Sequence, residues 1–133
     1  MIMRGSKSTS LFCRKGHLKL GKNLAMLKNK RSCRICTYRR SVIRRSKIKI
    51  RVLKLLGGKC VCCGLNINFW WVLTVDHIKP KRSRSIYEST VSFYTDILKG
   101  KLNKDDFQVM CQGCNNSKNT GEKCGLSHDL PIS

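Results

Sequence analysis

The feature that most constrains this chain of 133 residues is the spacing of its nine cysteines. Six of them form three pairs with two residues between the partners, and such short spacing suits a tetrahedral metal better than a disulfide. The length allows one compact domain and a small satellite module. We therefore predict a fold built around zinc. The pairs are Cys33 with Cys36, Cys60 with Cys63, and Cys111 with Cys114.

The first predicted zinc site lies near the N-terminus. Cys13 and His17 stand four positions apart, and fifteen residues separate His17 from the Cys33 and Cys36 pair. Three thiolates and one imidazole in two close pairs are typical of a closed structural zinc site. We predict an N-terminal zinc-binding module over residues 11–36, with three free cysteines and a surface histidine as the alternative.

The second predicted zinc site joins distant parts of the chain. The Cys60 and Cys63 pair precedes the Cys111 and Cys114 pair by 47 residues. Four thiolates fill a tetrahedral site and leave no position for water, so this zinc is expected to be structural. The remaining cysteines, Cys62 and Cys124, are interpreted as ordinary free thiols, and His128 as exposed in a polar tail.

The charge of the chain predicts a polyanionic partner. There are 28 Lys and Arg against 7 Asp and Glu, for a formal net charge of +21. Residues 1–59 carry 19 of the basic residues and no acid, so that half is expected to grip nucleic acid while residues 60–133 hold a site. No apolar run approaches the roughly 20 residues of a spanning helix, so we expect a soluble, cytoplasmic chain without a membrane partner.

A cationic stripe follows the first zinc module. Residues 1–10 are predicted to be a flexible basic arm, and residues 37–56 a basic linker helix that stops at Gly57. Alternation of Ile48, Ile50 and Val52 leaves a strand as the alternative. Phosphate contact is the expected role of the stripe, with a solvated face as the bland alternative. The stripe comprises Arg39, Arg40, Arg44, Arg45, Lys47, Lys49 and Arg51.

The second half is predicted to hold two strands and two short helices. An apolar strand over residues 69–78 presents Asp76 and His77 at its end. A basic insertion follows, with a helix over about residues 88–98, then a strand over residues 107–110 and a last helix that begins within residues 115–118. Trp70 and Trp71 would point to opposite faces of the first strand, one into the core and the other over a zinc knuckle or the insertion, with base stacking as the alternative.

Three segments of the sequence, in this order, resemble a known family. The sequence is similar to HNH endonucleases of the ββα-metal kind, in particular the zinc-bearing branch that includes phage endonuclease VII and phage and intron-encoded homing enzymes. The similarity covers roughly residues 55–121. It implies an α+β fold, in which a small zinc-stabilised ββα-metal nuclease domain (residues 57–121) follows the zinc-knuckle module and the basic helix and precedes a tail (residues 122–133). The matching segments are Cys60-Val-Cys-Cys63-Gly, Leu73-Thr-Val-Asp76-His77-Ile-Lys-Pro80, and Asp106-Phe-Gln-Val-Met-Cys111-Gln-Gly-Cys114-Asn115-Asn-Ser-Lys118.

The resemblance also implies a mechanism. Asp76 and Asn115 would bind a catalytic Mg²⁺ or Mn²⁺ ion, distinct from the two structural zinc ions, and His77 would take a proton from the attacking water. The products would carry 5′-phosphate and 3′-hydroxyl ends. Asp106 stands where many relatives have asparagine, and would hold the loop or orient His77. Lys118 joins the expected DNA-binding residues.

Other interpretations remain open from the sequence alone. His77 on its own would more often be structural, and Asn115 would suit a helix N-cap. A non-catalytic zinc-ribbon protein that binds RNA or DNA needs only the charge and the cysteines. A junction-resolving nuclease would share the site but recognise a different DNA shape. The favoured expectation is a DNA endonuclease of a phage or mobile element, acting in the cytoplasm of a bacterial host cell.

Overall fold

The computed structural model describes residues 10–28, 30–79 and 89–120. Within these ranges the chain is a small α+β protein with two two-stranded antiparallel sheets and three α-helices. This confirms the predicted fold class at that level. The chain divides into an N-terminal unit (residues 1–44) and a C-terminal unit (residues 45–133). The predicted arm up to residue 9, part of the insertion, and the tail with Cys124 and His128 lie outside the described residues.

The N-terminal unit is a small hairpin that leads directly into a helix. Strand β1 (Leu24–Leu27) pairs antiparallel with β2 (Lys30–Cys33), and Leu24 faces Cys33. Helix α1 (Arg34–Leu55) then begins at once, without a loop. The side-chain oxygen of Asn23 accepts the Ile35 N–H at 3.0 Å, which satisfies a donor of the first turn from outside the helix.

This arrangement corrects the predicted boundary between zinc module and helix. The helix begins at Arg34 rather than at residue 37, so Cys36 lies in its first turn and not in a preceding loop. The strand alternative for Ile48, Ile50 and Val52 is wrong, because all three are helical. At the other end, helical hydrogen bonding gives way to bonds from Gly57 N–H to Lys54 O and from Gly58 N–H to Leu53 O. Gly57 has a φ of 107°, which L side chains rarely adopt, and this glycine pair ends the helix.

The C-terminal unit contains a hairpin with a long connection. Strand β3 (Leu73–His77) pairs antiparallel with β4 (Phe107–Cys111), and helix α2 (Thr90–Leu98) lies in the connection. Helix α3 (Gln112–Thr120) follows β4 without a break. The first strand is therefore shorter than residues 69–78.

The residues before β3 form turns instead of a strand. Residues Ile67–Phe69 are a 3-10 turn, whose first N–H groups are partly satisfied by the Asn66 side chain at 2.9 Å from Asn68 N. Trp70 is half-buried and packs against the core, whereas Trp71 is 58% exposed. Trp70 is therefore the core tryptophan and Trp71 the outer one. The predicted reason, that adjacent residues of a strand point to opposite faces, is wrong because neither residue is in a strand.

Two hydrophobic clusters form the core of this unit. Val52 and Leu53 are adjacent on α1 and both fully buried, yet each belongs to a different cluster. One cluster surrounds the cysteine knuckles, and the other lies between the hairpin and α2. Burial of these side chains fixes α1, α2 and the hairpin together. The buried members of the first cluster are Leu53, Cys60, Leu73, Val109, Met110, Cys111 and Cys114, and those of the second are Val52, Tyr94, Ile97 and Phe107.

Candidate functional site

Four cysteines of the C-terminal unit converge on one point. The Sγ atoms of Cys60, Cys63, Cys111 and Cys114 all lie within 4.8 Å of one another. Those of Cys63 and Cys111 are 3.7 Å apart. Tetrahedral zinc with bonds of about 2.3 Å separates its sulfur ligands by about 3.8 Å, whereas a disulfide needs about 2.05 Å. The cluster therefore has the donor set and the spacing of a structural zinc site.

Short-range hydrogen bonds build this cluster. Gly64 N–H donates to Cys60 O at 2.9 Å and closes the first knuckle, and Val61 N–H donates to Val109 O at 2.9 Å and ties the knuckle to β4. Cys111 ends β4 and Cys114 lies in the first turn of α3, where its N–H points at Cys111 Sγ from 3.3 Å. The strand-to-helix junction is thus itself the second knuckle.

The backbone also prepares the thiolate of Cys60. Burial alone would raise the pKa of this thiol, but N–H groups of the knuckles, including those of Cys63 and Cys111, favour the charged form and lower the pKa to about 7. A thiol that loses its proton this readily is a better zinc ligand at neutral pH.

The N-terminal unit holds a second cluster, of three cysteines and one histidine. His17 Nδ1 lies 3.4 Å from Cys13 Sγ and 3.3 Å from Cys36 Sγ, and Cys33 Sγ is 3.7 Å from the same nitrogen. All four ligand atoms fall within 4.8 Å of one another. The predicted ligand set is confirmed as a cluster that could hold zinc.

Crowding of thiols in this cluster favours a cation at its centre. Burial raises the pKa of Cys36, and the adjacent Cys13 and Cys33 raise it further. Cys33 goes the other way: burial would raise its pKa, but the Cys36 N–H and the Asn23 side chain lower it to about 6. Three thiolates this close repel one another unless a metal ion compensates them. Cys62, in contrast, is exposed and belongs to neither cluster.

Asp76 and His77 are the last two residues of β3, opposite Gln108 and Phe107 respectively. Asp76 Oδ2 accepts a hydrogen bond from Gln108 Nε2 at 3.0 Å. It also forms an ion pair with Lys118 Nζ, at 2.6 Å. The Lys118 ammonium also donates to His77 O at 2.9 Å. Lys118, assigned above to DNA binding, therefore binds the end of the strand.

The His77 imidazole lies between two phenylalanine rings. It stacks on Phe93 with ring centroids 5.6 Å apart and an interplanar angle of 21°. Phe107 meets it edge-on at 5.0 Å. Because Phe93 belongs to α2, the insertion between the strands contributes directly to the orientation of the histidine ring.

The other two predicted catalytic residues occupy different surroundings. Asn115 is the fourth residue of α3, so the N-cap alternative is wrong; it lies one turn before Lys118 and shares its helix face. Asp106 is exposed, and its backbone oxygen accepts the Ile78 N–H at 3.0 Å. Across residues 10–28, 30–79 and 89–120, no hydrogen bond reaches the side chain of Asn115 or Asp106.

The stripe on α1 is exposed except at Lys49. That side chain is half-buried, donates to Trp71 O at 3.2 Å and lies 5.7 Å from the centroid of the Trp70 ring. Burial lowers the pKa of Lys49. Lys49 therefore packs against the protein, unlike the other basic residues of the stripe. The exposed members are Arg39, Arg40, Arg44, Arg45, Lys47 and Arg51.

The sequence analysis missed Gln108 and Phe93 as parts of the site. Side chains alternate between the two faces of a strand, and an antiparallel alignment of β3 with β4 would have placed Gln108 beside Asp76. Phe93 carried no local signal.

In the part of the chain that the structure describes, no helix has the length and apolar character needed to cross a membrane. Comparison with protein-family profiles, with curated proteins and with solved structures finds no match.

Proposed function

We propose that this protein is a metal-dependent DNA endonuclease of the HNH type. The observation that carries the proposal is the placement of Asp76 and His77 at the end of β3, bound through Lys118 to the helix that bears Asn115. The end of β3 thus presents a carboxylate and an imidazole, and Lys118 ties it to α3, on which Asn115 lies one turn earlier. These are the side chains that metal-assisted phosphodiester hydrolysis uses.

The oxygen donors of this end suit Mg²⁺ or Mn²⁺. Both hydrogen bonds to the Asp76 carboxylate go to Oδ2, so among the described residues Oδ1 receives none. Asp76 Oδ1 and the Asn115 amide oxygen would hold the ion. When bound, such an ion stabilises the negative charge that develops on the scissile phosphate and the leaving 3′ oxygen.

In this proposal the chain's own residues have separate tasks. His77 accepts the proton of the attacking water at a ring nitrogen, while Phe93 and Phe107 fix the plane of its ring. The four-thiolate cluster has no open position for water, so its zinc is structural. The exposed arginines of α1 neutralise DNA phosphates, in a half of the chain without a single acidic residue. Hydrolysis would leave 5′-phosphate and 3′-hydroxyl ends.

A second candidate function is supported by the ion pair of Asp76. An ammonium 2.6 Å from the carboxylate satisfies it without a metal ion, as a purely structural role would require. On that account the protein is a non-catalytic zinc protein that binds nucleic acid, with the clusters and the basic α1 as its functional parts.

Plasmid nicking separates the two functions. Zinc-loaded protein is incubated with supercoiled plasmid and Mg²⁺ or Mn²⁺, with Ca²⁺ in place of these ions as the control. We expect conversion to open circle only with Mg²⁺ or Mn²⁺, and much less with a His77→Ala variant. No conversion by wild type would favour the non-catalytic binder. A parallel assay on linear duplex and on a four-way junction tests the junction-resolving alternative.

A further inference from the structure

The N-terminal unit contains a cavity that the proposed active site does not use. Its volume is about 580 Å³, within the range of small-ligand pockets, and Cys33 and Cys36 of the zinc cluster form part of its wall. Six basic side chains line it and give it a strong positive charge. We call it the cationic groove, lined by Arg14, Lys15, Lys19, Arg31, Arg39 and Arg40.

Lys19 distinguishes this groove from an ordinary basic surface. Lys19 as a whole residue is only 5% exposed, and it is the one charged residue within the described ranges that is buried to this degree. No hydrogen bond or ion pair reaches its ammonium group from residues 10–28, 30–79 or 89–120. Residues 1–59 contain no Asp or Glu, so the unit offers no carboxylate to compensate it.

The zinc cluster offsets only a small part of this charge. Zinc bound by three thiolates and a neutral imidazole carries a net charge of about −1. The groove therefore retains an excess of positive charge around Lys19, which an entering anion would neutralise. Phosphate groups are the anions that several converging Arg and Lys side chains bind best.

An exposed aromatic ring lines the same groove. Phe12 is 54% exposed, and a backbone bridge to Leu18 holds its segment in place. A positively charged channel combined with an accessible aromatic side chain is typical of sites for single-stranded nucleic acid, where phosphates bind the cations and an unpaired base stacks on the ring.

We propose that the cationic groove binds a single nucleic-acid strand, with a backbone phosphate at Lys19 and a base against Phe12. This inference rests on the proposed nucleic-acid function but not on catalysis. It assigns Arg39 and Arg40, two of the arginines of α1 that are expected to contact DNA, to a site that recognises unpaired nucleotides.

Two matched charge variants test the role of Lys19. Lys19→Gln and Lys22→Gln each remove one charge from the same unit, but Lys22 is exposed and does not line the groove. Affinity of the full chain for a labelled single-stranded DNA oligonucleotide is measured without added Mg²⁺ or Mn²⁺. We expect Lys19→Gln to weaken binding about tenfold or more and Lys22→Gln less than about threefold. Equal losses would overturn the proposal.

Measurement of the zinc content shows whether replacement of Lys19 weakens binding only by disturbing the fold of the unit. Both variants should retain the wild-type zinc content. If Lys19→Gln releases zinc, the same comparison is made with Arg31→Gln and Lys30→Gln, neighbours on β2 of which only Arg31 lines the groove. Equal affinity of these two variants would overturn the proposal, and weaker binding by Arg31→Gln alone would support it.

The nature of the ligand is tested separately. Phe12→Leu should weaken single-stranded DNA binding about fivefold or more, because a stacked base is lost, and leave duplex affinity unchanged. Equal losses on both DNA forms, or none, would overturn the single-strand assignment. Inorganic polyphosphate serves as the other probe: a Lys19→Gln defect toward polyphosphate but not toward DNA would assign the groove to another anion.

Failure of the proposed nuclease and failure of this inference give different results. If wild type does not nick plasmid but Lys19→Gln selectively weakens the affinity for single-stranded DNA, the result supports the proposed role of the groove and contradicts the proposed nuclease activity. If wild type nicks plasmid but Lys19→Gln and Lys22→Gln bind single-stranded DNA with equal affinity, the result supports the nuclease activity and contradicts the proposed role of the groove.

Discussion

Lys118 on α3 and Asp76 on β3 form an ion pair, with 2.6 Å between Nζ and Oδ2. The same ammonium bonds to His77 O at 2.9 Å. One flexible side chain thus neutralises the proposed metal-binding carboxylate and fixes the end of the strand. In the proposed nuclease, this contact competes with a divalent ion for Asp76.

Removal of the Lys118 charge should strengthen divalent-ion binding. Lys118→Met removes the positive charge that compensates the Asp76 carboxylate, so we expect zinc-loaded protein to bind Mn²⁺ several-fold more tightly in a calorimetric titration. Stability should fall by only about 1 kcal/mol, since the pair is partly exposed. The control is Lys99→Met, at the exposed C-cap of α2. Unchanged or weaker Mn²⁺ binding by Lys118→Met would exclude the competition.

Replacement of His77 should separate packing from proton transfer. His77→Phe retains an aromatic ring between Phe93 and Phe107 but has no proton acceptor. We expect wild-type zinc content and DNA affinity, and a cleavage rate lower by about two to four orders of magnitude. The measurement is single-turnover cleavage of plasmid. Near wild-type cleavage by His77→Phe would eliminate His77 as the general base.

Phe93 should affect the rate more than it affects binding. Phe93→Ala removes the ring stacked on His77, so we expect kcat to fall about tenfold with little change in KM. Phe93→Tyr, which keeps the ring, should restore most of the rate. Phe69→Ala removes a 45% exposed ring of the same unit and serves as the control. Equal rates for the Phe93→Ala and Phe69→Ala variants would mean that the stacked ring has no positioning role.

Cysteine replacement should distinguish ligands from their neighbours. Cys111→Ser removes one ligand of the C-terminal cluster, and Cys62→Ser changes an exposed cysteine beside Cys63. We expect Cys111→Ser to lose one of two zinc ions and to unfold the C-terminal unit, because structural zinc contributes on the order of 10 kcal/mol. Cys62→Ser should keep both ions. Elemental analysis and circular dichroism give the readouts, and loss of zinc from Cys62→Ser would refute the ligand assignment.

Acid should release zinc from the C-terminal cluster. The Cys60 pKa in the folded chain, about 7, lies below the ordinary value of 9.0. A depressed pKa contributes stability that is complete above the ordinary pKa and is lost as pH falls through the folded value. At a fixed chelator concentration, we therefore expect zinc release to increase as pH falls below about 7. Release that does not change between pH 8 and pH 5 would contradict this expectation.

The parts of the structure that follow from local spacing were predicted from the sequence. Both clusters that could hold zinc were predicted because each is built from pairs of ligands three or four positions apart, which can be recognised without knowledge of the fold. The end of α1 was found because the glycine pair at residues 57–58 is a local stop signal.

The parts that depend on distant residues were not predicted. α1 begins at Arg34 because Asn23, twelve positions before Ile35, satisfies an N–H of its first turn. The ion pair of Asp76 joins residues 42 positions apart. Burial of Lys19 likewise follows from packing of the unit as a whole. None of these contacts leaves a periodic or motif signal in the sequence.

The bond from Ile78 N–H to Asp106 O has a consequence for how this protein can change over evolution. It closes the connection between β3 and β4 immediately beyond their last paired residues, His77 and Phe107. Strand register is therefore fixed at the base of the connection, whatever its length. Since doubling the length of a connection costs only about 0.6 kcal/mol in closure entropy, the connection between β3 and β4 can lengthen at little thermodynamic cost without a change of register. New binding specificity can be acquired there by insertion, while the hairpin that carries Asp76 and His77 stays unchanged.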